Sequence, residues 1–176
     1  MFQSVVRPMP SRPVQTTSLP FRVRPARRAD LDALMELEQR VFATDRMSRH
    51  SLRRLLTSPT ARVIVADTGR RLAGAAVVLF RTYTAVARLY SIAVAPQMSG
   101  KGVAVALLAA AERAAGARKC RCMRLEVHEA NAAAISRYGK TGYRQFGRYA
   151  AYYEDGGDAL RFEKPLGARR ARKSRR

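Results

Sequence analysis

The chain has 176 residues, 47% of them apolar, enough to fill the core of one domain, and it carries a net charge of +21. No apolar run reaches the roughly 18 residues of a membrane-spanning helix, and no apolar block of a secretory signal is seen, so a cytoplasmic protein without membrane association is expected. The charge is concentrated: residues 1–28 hold six arginines and residues 167–176 six arginines or lysines, with no acid in either, which leaves 22 basic against 13 acidic residues between them. The Pro-, Ser- and Thr-rich segment 1–20 and the tail 167–176 read as disordered and basic, flanking one domain over 21–166. The Arg-rich, acid-free start also has the composition of an organellar transit peptide, but not its amphipathic periodicity. Cys120 and Cys122 are too few and too close for a structural zinc site or a disulfide framework, so reduced thiols and no metal are expected.

In chain order, "FRVRPA" alternates apolar and basic residues as a short strand does. "RADLDALMELEQRVF" places Leu31, Leu34, Met35, Leu37, Glu38 and Val41 on one helical face, with Asp30 near the helix start. "MSRHSLRRLL" predicts a second helix, capped by Ser48 and stopped before Pro59. Three β-rich stretches follow, "ARVIVAD", "LAGAAVVLF" and "AVARLYSIAV", the first two joined by a turn at "TGRR". A helix is predicted from Gly100 to Gly116, the last glycine suiting a left-handed C-cap. Then come a strand "CMRLEVH", a helix "NAAAISRYGKTG", a strand "YRQFGRYAAYY", a turn "EDGG" and a closing strand "ALRFEKPL". The order β-α-α-β-β-β-α-β-α-β-β predicts a mixed α/β (α+β) sheet with helices on its faces and no internal repeat.

The stretch "APQMSGKGVAVALL" joins a strand directly to a helix through two glycines. A helix start offers unpaired N–H groups and the positive end of a dipole, and glycines let an anion approach closely, so a phosphate site is expected over Gly100, Lys101, Gly102, Val103, Ala104 and Val105. A plain strand-to-helix turn is the alternative for an isolated Gly-x-Gly. The Walker loop fails because position 95 is alanine and Gly102 follows Lys101. The dinucleotide fingerprint fails at Val105.

The element order, with "LYSIAV", the glycine join, "LEV" and "NAAAISRYGKTGY", resembles the GNAT superfamily of acetyl-CoA-dependent N-acetyltransferases from about Phe21 to Leu166. The resemblance implies a mostly antiparallel sheet of about seven strands with helices on both faces. In that family a [QR]-x-x-G-x-[GA] motif binds the coenzyme A pyrophosphate through backbone amides. By letters Gln97, Gly100 and Gly102 match it. Counting from the strand end, with Leu107 and Leu108 one turn inside the helix, puts Gly102 and Ala104 at the small positions and Ser99 where Gln or Arg is usual. The resemblance further implies that the backbone of Ile92, Ala93 and Val94 pairs with the pantetheine arm, that Asn131 contacts that arm, and that Tyr138 protonates the departing thiolate; on the residues alone Asn131 reads as a helix cap and Tyr138 as a core aromatic, and both readings are compatible with those roles.

Glu126 is an acid within an apolar strand. It reads either as an outward side chain paired with an arginine or, by resemblance to ribosomal-protein-alanine N-acetyltransferases, as the general base that frees the acceptor amine. His128 shares its strand face and reads as a tuning group or as a solvated strand end. Tyr152 and Tyr153 resemble the tyrosine pair that closes over an acceptor peptide in that branch, only one of the two facing it. "FATDRMSRHS" forms the opposite wall and departs from the "FPWS" type of segment. No Cys/His arrangement suggests an acetyl-enzyme, so direct attack in a ternary complex is expected.

The expected activity is acetyl transfer from acetyl-CoA to a protein or peptide amine, an N-terminal α-amine before a lysine side chain, with no metal. Three alternatives stay open. They are a nucleic-acid- or ribosome-binding protein built on the same fold, weak nucleic-acid or ribosome association through the basic tails, and a small-molecule amine acceptor, which a basic surface disfavours when the amine is a polycation. Oligomeric state is not legible.

Overall fold

Strand burial sorts the sheet into a central part covered on both faces and a flank covered on one. The computed structural model of the protein describes residues 20–43 and 46–167. Of the tails expected to be disordered (1–20 and 167–176), residues 1–19 and 168–176 lie outside the described residues, as do Thr44 and Asp45 of the first interhelical loop. The elements are β1 (Arg22–Pro25), α1 (Leu31–Val41), α2 (Arg49–Thr57), β2 (Ala61–Asp67), β3 (Leu72–Phe80), β4 (Val86–Val94), α3 (Val103–Ala117), β5 (Cys122–His128), α4 (Ala132–Lys140), β6 (Arg144–Tyr149) and β7 (Ala159–Pro165). Short 3-10 turns at Arg28–Asp30 and Pro96–Met98 complete the order. It is the order expected from the sequence.

The seven strands form one sheet, β1-β2-β3-β4-β5-β7-β6, antiparallel everywhere except between β4 and β5. β3 is buried along almost its whole length because both of its faces are covered. β5 alternates buried and half-buried residues, the signature of a strand covered on one face. One core joins α3 and α4 to the sheet through Leu107, Leu108, Met123, Leu125 and Tyr138. A second, under α1 and α2, gathers Leu34, Leu37, Leu52, Val65 and Val77. Ser48 caps α2 by accepting from the Ser51 N–H at 3.1 Å.

Two expectations are corrected. Helix α3 starts at Val103 and runs through Gly116, so Gly116 is not its left-handed terminus. The left-handed residue is Lys119 (φ 60°), where the chain turns so that the Cys120 N–H returns to the Ala115 carbonyl at 3.0 Å. Strand β6 ends at Tyr149, because Ala151 adopts φ 47° and the Tyr152 and Tyr153 N–H groups fold onto the Gly157 carbonyl at 3.0 and 3.1 Å. Tyr152 and Tyr153 therefore sit in a turn, where the strand rule of opposite faces does not apply.

Gly74 of β3 lets α3 approach the sheet. A Cβ there would lie 2.6 Å from the Ala93 carbonyl oxygen and 2.9 Å from Val103 Cγ1. Gly74→Ala is expected to destabilise the fold by about 1–3 kcal/mol, the scale of overpacking a filled core, read by urea denaturation. Glu38 is the one buried charged residue among those described, its Oε2 accepting the Met47 N–H at 3.0 Å. Burial raises its pKa, with the Met47 hydrogen bond opposing. A raised carboxyl pKa costs stability as pH climbs through the folded-state value. Glu38→Gln should therefore melt higher than wild type at pH 8, the gap closing below about pH 4, where the carboxyl is protonated in both folded and unfolded states.

Candidate active site

The site begins with a fault in β4. Opposite β3, Val77 pairs with Ser91 and Val78 with Leu89, so Tyr90 is an extra residue, a β-bulge. The bulge exchanges faces: Ala87 and Leu89 lie in the α3–α4 core, and beyond it Ile92 and Val94 pack there while Ala93 joins the α1–α2 core. At the same level the parallel pairing with β5 stops, its last pair being Leu89 with Leu125. From Tyr90 to Val94, β4 keeps β3 on one edge and has no strand on the other. Glu126 is the first residue of β5 past that separation.

The glycine join closes the far end of the gap. Gly100 (φ 74°) and Gly102 (φ 78°) are both left-handed, which favours glycine, and a Cβ at either would meet nothing within 4 Å. Gly102 is the N-cap of α3. Among the described residues, the N–H groups of Gly100, Gly102, Val103, Ala104 and Val105 find no hydrogen-bond acceptor. Five unpaired donors at a helix start, with open space before them, fit a pyrophosphate. Ser99 precedes the first left-handed turn and Gln97 lies within the 3-10 turn, ahead of the donors. The free edge of β4 at Ile92, Ala93 and Val94 fits an extended amide chain laid beside it as a strand.

Glu126 is ion-paired, as its outward position on β5 allows. Its Oε2 accepts from Arg88 Nε at 2.8 Å, while Oε1 lies 3.8 Å from Arg161 Nε and receives no hydrogen bond. Arg88 also donates to the Tyr152 hydroxyl at 3.1 Å, which brings the turn over the carboxylate. Tyr152 stacks on Tyr149 and meets Tyr153 edge-on, the ring centroids 5.7 and 5.2 Å apart. Tyr153 lies against the His128 ring at 4.7 Å. His128 is anchored rather than solvated: Nδ1 accepts the Ala130 N–H at 3.0 Å, so Nε2 carries the proton that it donates to Asp155 at 2.9 Å.

Tyr138, on α4, is 4% exposed, and its ring packs against Tyr143 and Phe162. Burial pushes its phenol up to about 12, with Arg137 opposing and the Tyr153 phenol reinforcing the shift. The hydroxyl makes no hydrogen bond among the described residues and is not one of the sealed polar atoms. Tyr138 belongs to the α3–α4 side of the sheet, whereas Glu126 faces the other side; the gap between β4 and β5 lies between those faces. The Asn131 side chain caps α4 by accepting the Ala134 N–H at 3.1 Å.

Two grooves of the described surface, about 240 and 350 Å³, lie elsewhere, between β1–β2 and either α2 or α3. Neither includes Glu126, Tyr138 or the join. A cleft meant for a ligand that completes the sheet is an open wedge rather than an enclosed cavity, and the unpaired backbone marks it better than volume does. No helix among the described residues is long and apolar enough to cross a membrane, and they contain no cluster of three or more metal-ligating side chains.

The sequence matches the family model described as Acetyltransferase (GNAT) family over residues 30–143. The chain therefore belongs to the GNAT acetyltransferase family and is an N-acetyltransferase; enzymes of this family use acetyl-CoA. Among solved structures it is similar to the ribosomal-protein-S18-alanine N-acetyltransferase from Escherichia coli, with 25% identity and a TM-score of 0.75 over 84% of this chain and 94% of that one. It is also similar to the ribosomal-protein-alanine N-acetyltransferase from Brucella melitensis, with 25% identity and a TM-score of 0.72 over 82% and 99% of the two chains. Nourseothricin acetyltransferase shares 26% identity and a TM-score of 0.69 over 84% and 99%. No curated protein sequence matches the chain.

Arg88, Arg161 and Gly74 escaped the sequence reading. Strand alternation places Arg124 with Glu126 on one face, but which arginines of other strands reach Glu126 depends on register. Gly74 carried a signal, an isolated glycine inside a buried strand. For the join, Gly102→Ala forces a non-glycine residue into the left-handed region at a cost of roughly 1–2 kcal/mol. Relief of that strain turns the amides away. Coenzyme A affinity is expected to fall roughly tenfold by calorimetric titration, and a loss of stability with unchanged affinity would count against the join as the binding element.

Proposed function

We propose that the protein acetylates a protein or peptide amine, an N-terminal α-amine in preference to a lysine side chain, by direct attack within a ternary complex with acetyl-CoA. The observation that carries this reading is Glu126: a carboxylate at the point where β4 and β5 part, with one oxygen committed to Arg88 and the other accepting nothing. Two of the similar structures bear names that make them acetyltransferases of ribosomal-protein alanine, which supports a protein acceptor here. We place the enzyme in the cytoplasm, whose reducing conditions suit the free Cys120 and Cys122.

Bound acetyl-CoA supplies an activated acetyl carbonyl and a thiol leaving group. The chain supplies the rest. Backbone N–H groups from Gly100 to Val105 hold the pyrophosphate, with Lys101 adding charge, and the edge of Ile92, Ala93 and Val94 aligns the pantetheine arm. Asn131 fixes the start of α4, so it positions Tyr138 as well as bordering the arm. Arg88 and Arg161 disfavour another positive charge beside them, which biases the incoming amine towards its neutral, nucleophilic form. Glu126 Oε1 takes the amine proton, directly or through water. Tyr138, with its pKa pushed up to about 12, keeps a proton on Oη throughout the working range and can release it to a developing anion. Tyr152, held by Arg88, and Tyr153, held against His128, form the acceptor side of the site.

Glu126→Gln and Tyr138→Phe separate these roles by pH. Without the base, the rate depends on amine already free in solution, so below about pH 8 it should fall nearly tenfold per pH unit, and near pH 9 it should approach wild type. Tyr138→Phe should lower the rate about a hundredfold or more at every pH from 6 to 10, because the tyrosine does not titrate there. Stopped assays with an alanine-first peptide read both. Wild-type rates in both variants would overturn the assignment, and absence of acetylation of any peptide amine by wild type at pH 9 would overturn the protein acceptor.

A further inference from the structure

Beyond β4 no helix covers the face of the sheet that carries Glu126; the turn that Arg88 holds through Tyr152 lies over the carboxylate. Among the described residues the α1–α2 core takes nothing from β5, β6 or β7, and α4 lies on the opposite face, in the core with α3. What this face presents is arginine and aromatic side chains. Arg161 of β7, directly across from Glu126, lies over the rings of Phe146 and Tyr149 at 4.6 and 4.2 Å, and Arg124 of β5 lies over Phe146 at 4.7 Å.

The carboxylates here are too few for the guanidiniums. Glu126 serves Arg88 and Arg161, and Glu163 serves Arg124 at 3.1 Å and Arg144 at 3.4 Å. Four positive charges meet two negative ones, on side chains that keep 24 to 73% of their surface exposed in the arginines and only 11 to 17% in the acids. Arg161 makes no hydrogen bond among the described residues; its Nε is buried 3.8 Å from Glu126 Oε1, so what it can offer an incoming carboxylate is its Nη groups. The aromatic rings hold it in place but leave its hydrogen-bonding capacity unused.

We propose that this face seats the acceptor chain and selects acidic side chains in the second to fourth residues after the acetylated amine. The inference rests on the reading of Glu126 as the place where the amine is deprotonated. Neighbouring strands lie roughly 4.8 Å apart, so β7 and β6 are about 5 and 10 Å from Glu126. An extended peptide advances roughly 3.3 Å per residue. With its amine at Glu126 and its chain crossing towards β6, its second to fourth residues pass Arg161, Arg124 and Arg144. Carboxylates there would supply the acceptors that Glu126 and Glu163 cannot, and basic residues would meet a net positive surface.

The test compares peptides sharing the first residue and carrying Asp and Glu, Ser and Gln, or Lys and Arg at positions two to four. For wild type, kcat/KM should rank acidic above neutral above basic, with on the order of tenfold between acidic and neutral, the scale of a few partly exposed charge pairs, and the preference should shrink with salt. Arg124→Gln and Arg144→Gln, which do not touch Glu126, should remove most of the preference while neutral-peptide turnover stays near wild type. Fluorescence anisotropy of the same peptides with the amine already acetylated reads docking without turnover, and the acidic one should bind tightest. Equal or reversed ranking overturns the inference and leaves the protein-acceptor reading standing. Absence of any peptide turnover overturns that reading, and anisotropy then still decides whether the face binds acidic chains. Binding of a single-stranded oligonucleotide with no binding of acidic peptide overturns the inference in favour of a nucleic-acid surface.

Discussion

The proposed site depends on the parallel contact between β4 and β5 ending early. Parallel strands joined by a helix would ordinarily stay paired along their length. Here the extra residue at Tyr90 turns β4 over, and after Leu89 and Leu125 the two strands part. The separation leaves one edge of β4 without a partner and places the start of α3 at the far end of the gap. It also gives Glu126 a position no fully paired strand could offer. Backbone left unpaired in a sheet is a liability unless something else pairs with it. In an acetyltransferase that uses acetyl-CoA, the extended arm of the donor is suited to take that place.

The two side chains proposed to carry the chemistry lie on opposite faces of the sheet, on either side of that separation. Tyr138 belongs to the apolar core under α3 and α4, where burial holds its proton. Glu126 belongs to the opposite, arginine-rich face, where an ion pair holds its carboxylate in position. Tyr153 links the two, its ring tilted against His128 and close enough to Tyr138 to influence its titration. The turn that carries it is braced from both ends: Asp155 accepts from His128, and Asp158 accepts from Arg148 and from the Ala151 N–H. The turn that carries Tyr152 and Tyr153 is thus held by polar contacts, while α3 is held against β3 by packing around Gly74, Val103 and Leu107.

Much of this was legible in the sequence because it depends on local rules. Strands and helices emerged from period, Ser48 and Asn131 from capping chemistry, and the join from two glycines between a strand and a helix. The structure puts Gly102 at the N-cap and Ala104 in the first turn of α3. What was not legible depends on contacts between distant segments. The bulge at Tyr90 follows from how β4 must meet both β3 and α3, and Arg88 and Arg161 find Glu126 only through sheet register. Gly116 misled because a glycine near a helix end does not dictate where the chain turns; α3 continues through it to Ala117, and the left-handed turn falls at Lys119. The tyrosine pair lost its strand geometry to the left-handed Ala151, which nothing in "RYAAYY" announces.

The acetyl donor is proposed to bind in the gap between β4 and β5, closed by the glycine join. Hydrogen–deuterium exchange of the full chain with and without coenzyme A tests this. Slowed exchange is expected over Gly100–Val105 and over Ser91–Val94, with the groove between β1, β2 and α3 unchanged. Protection confined to that groove, with the join and the end of β4 unaffected at saturating coenzyme A, would contradict it.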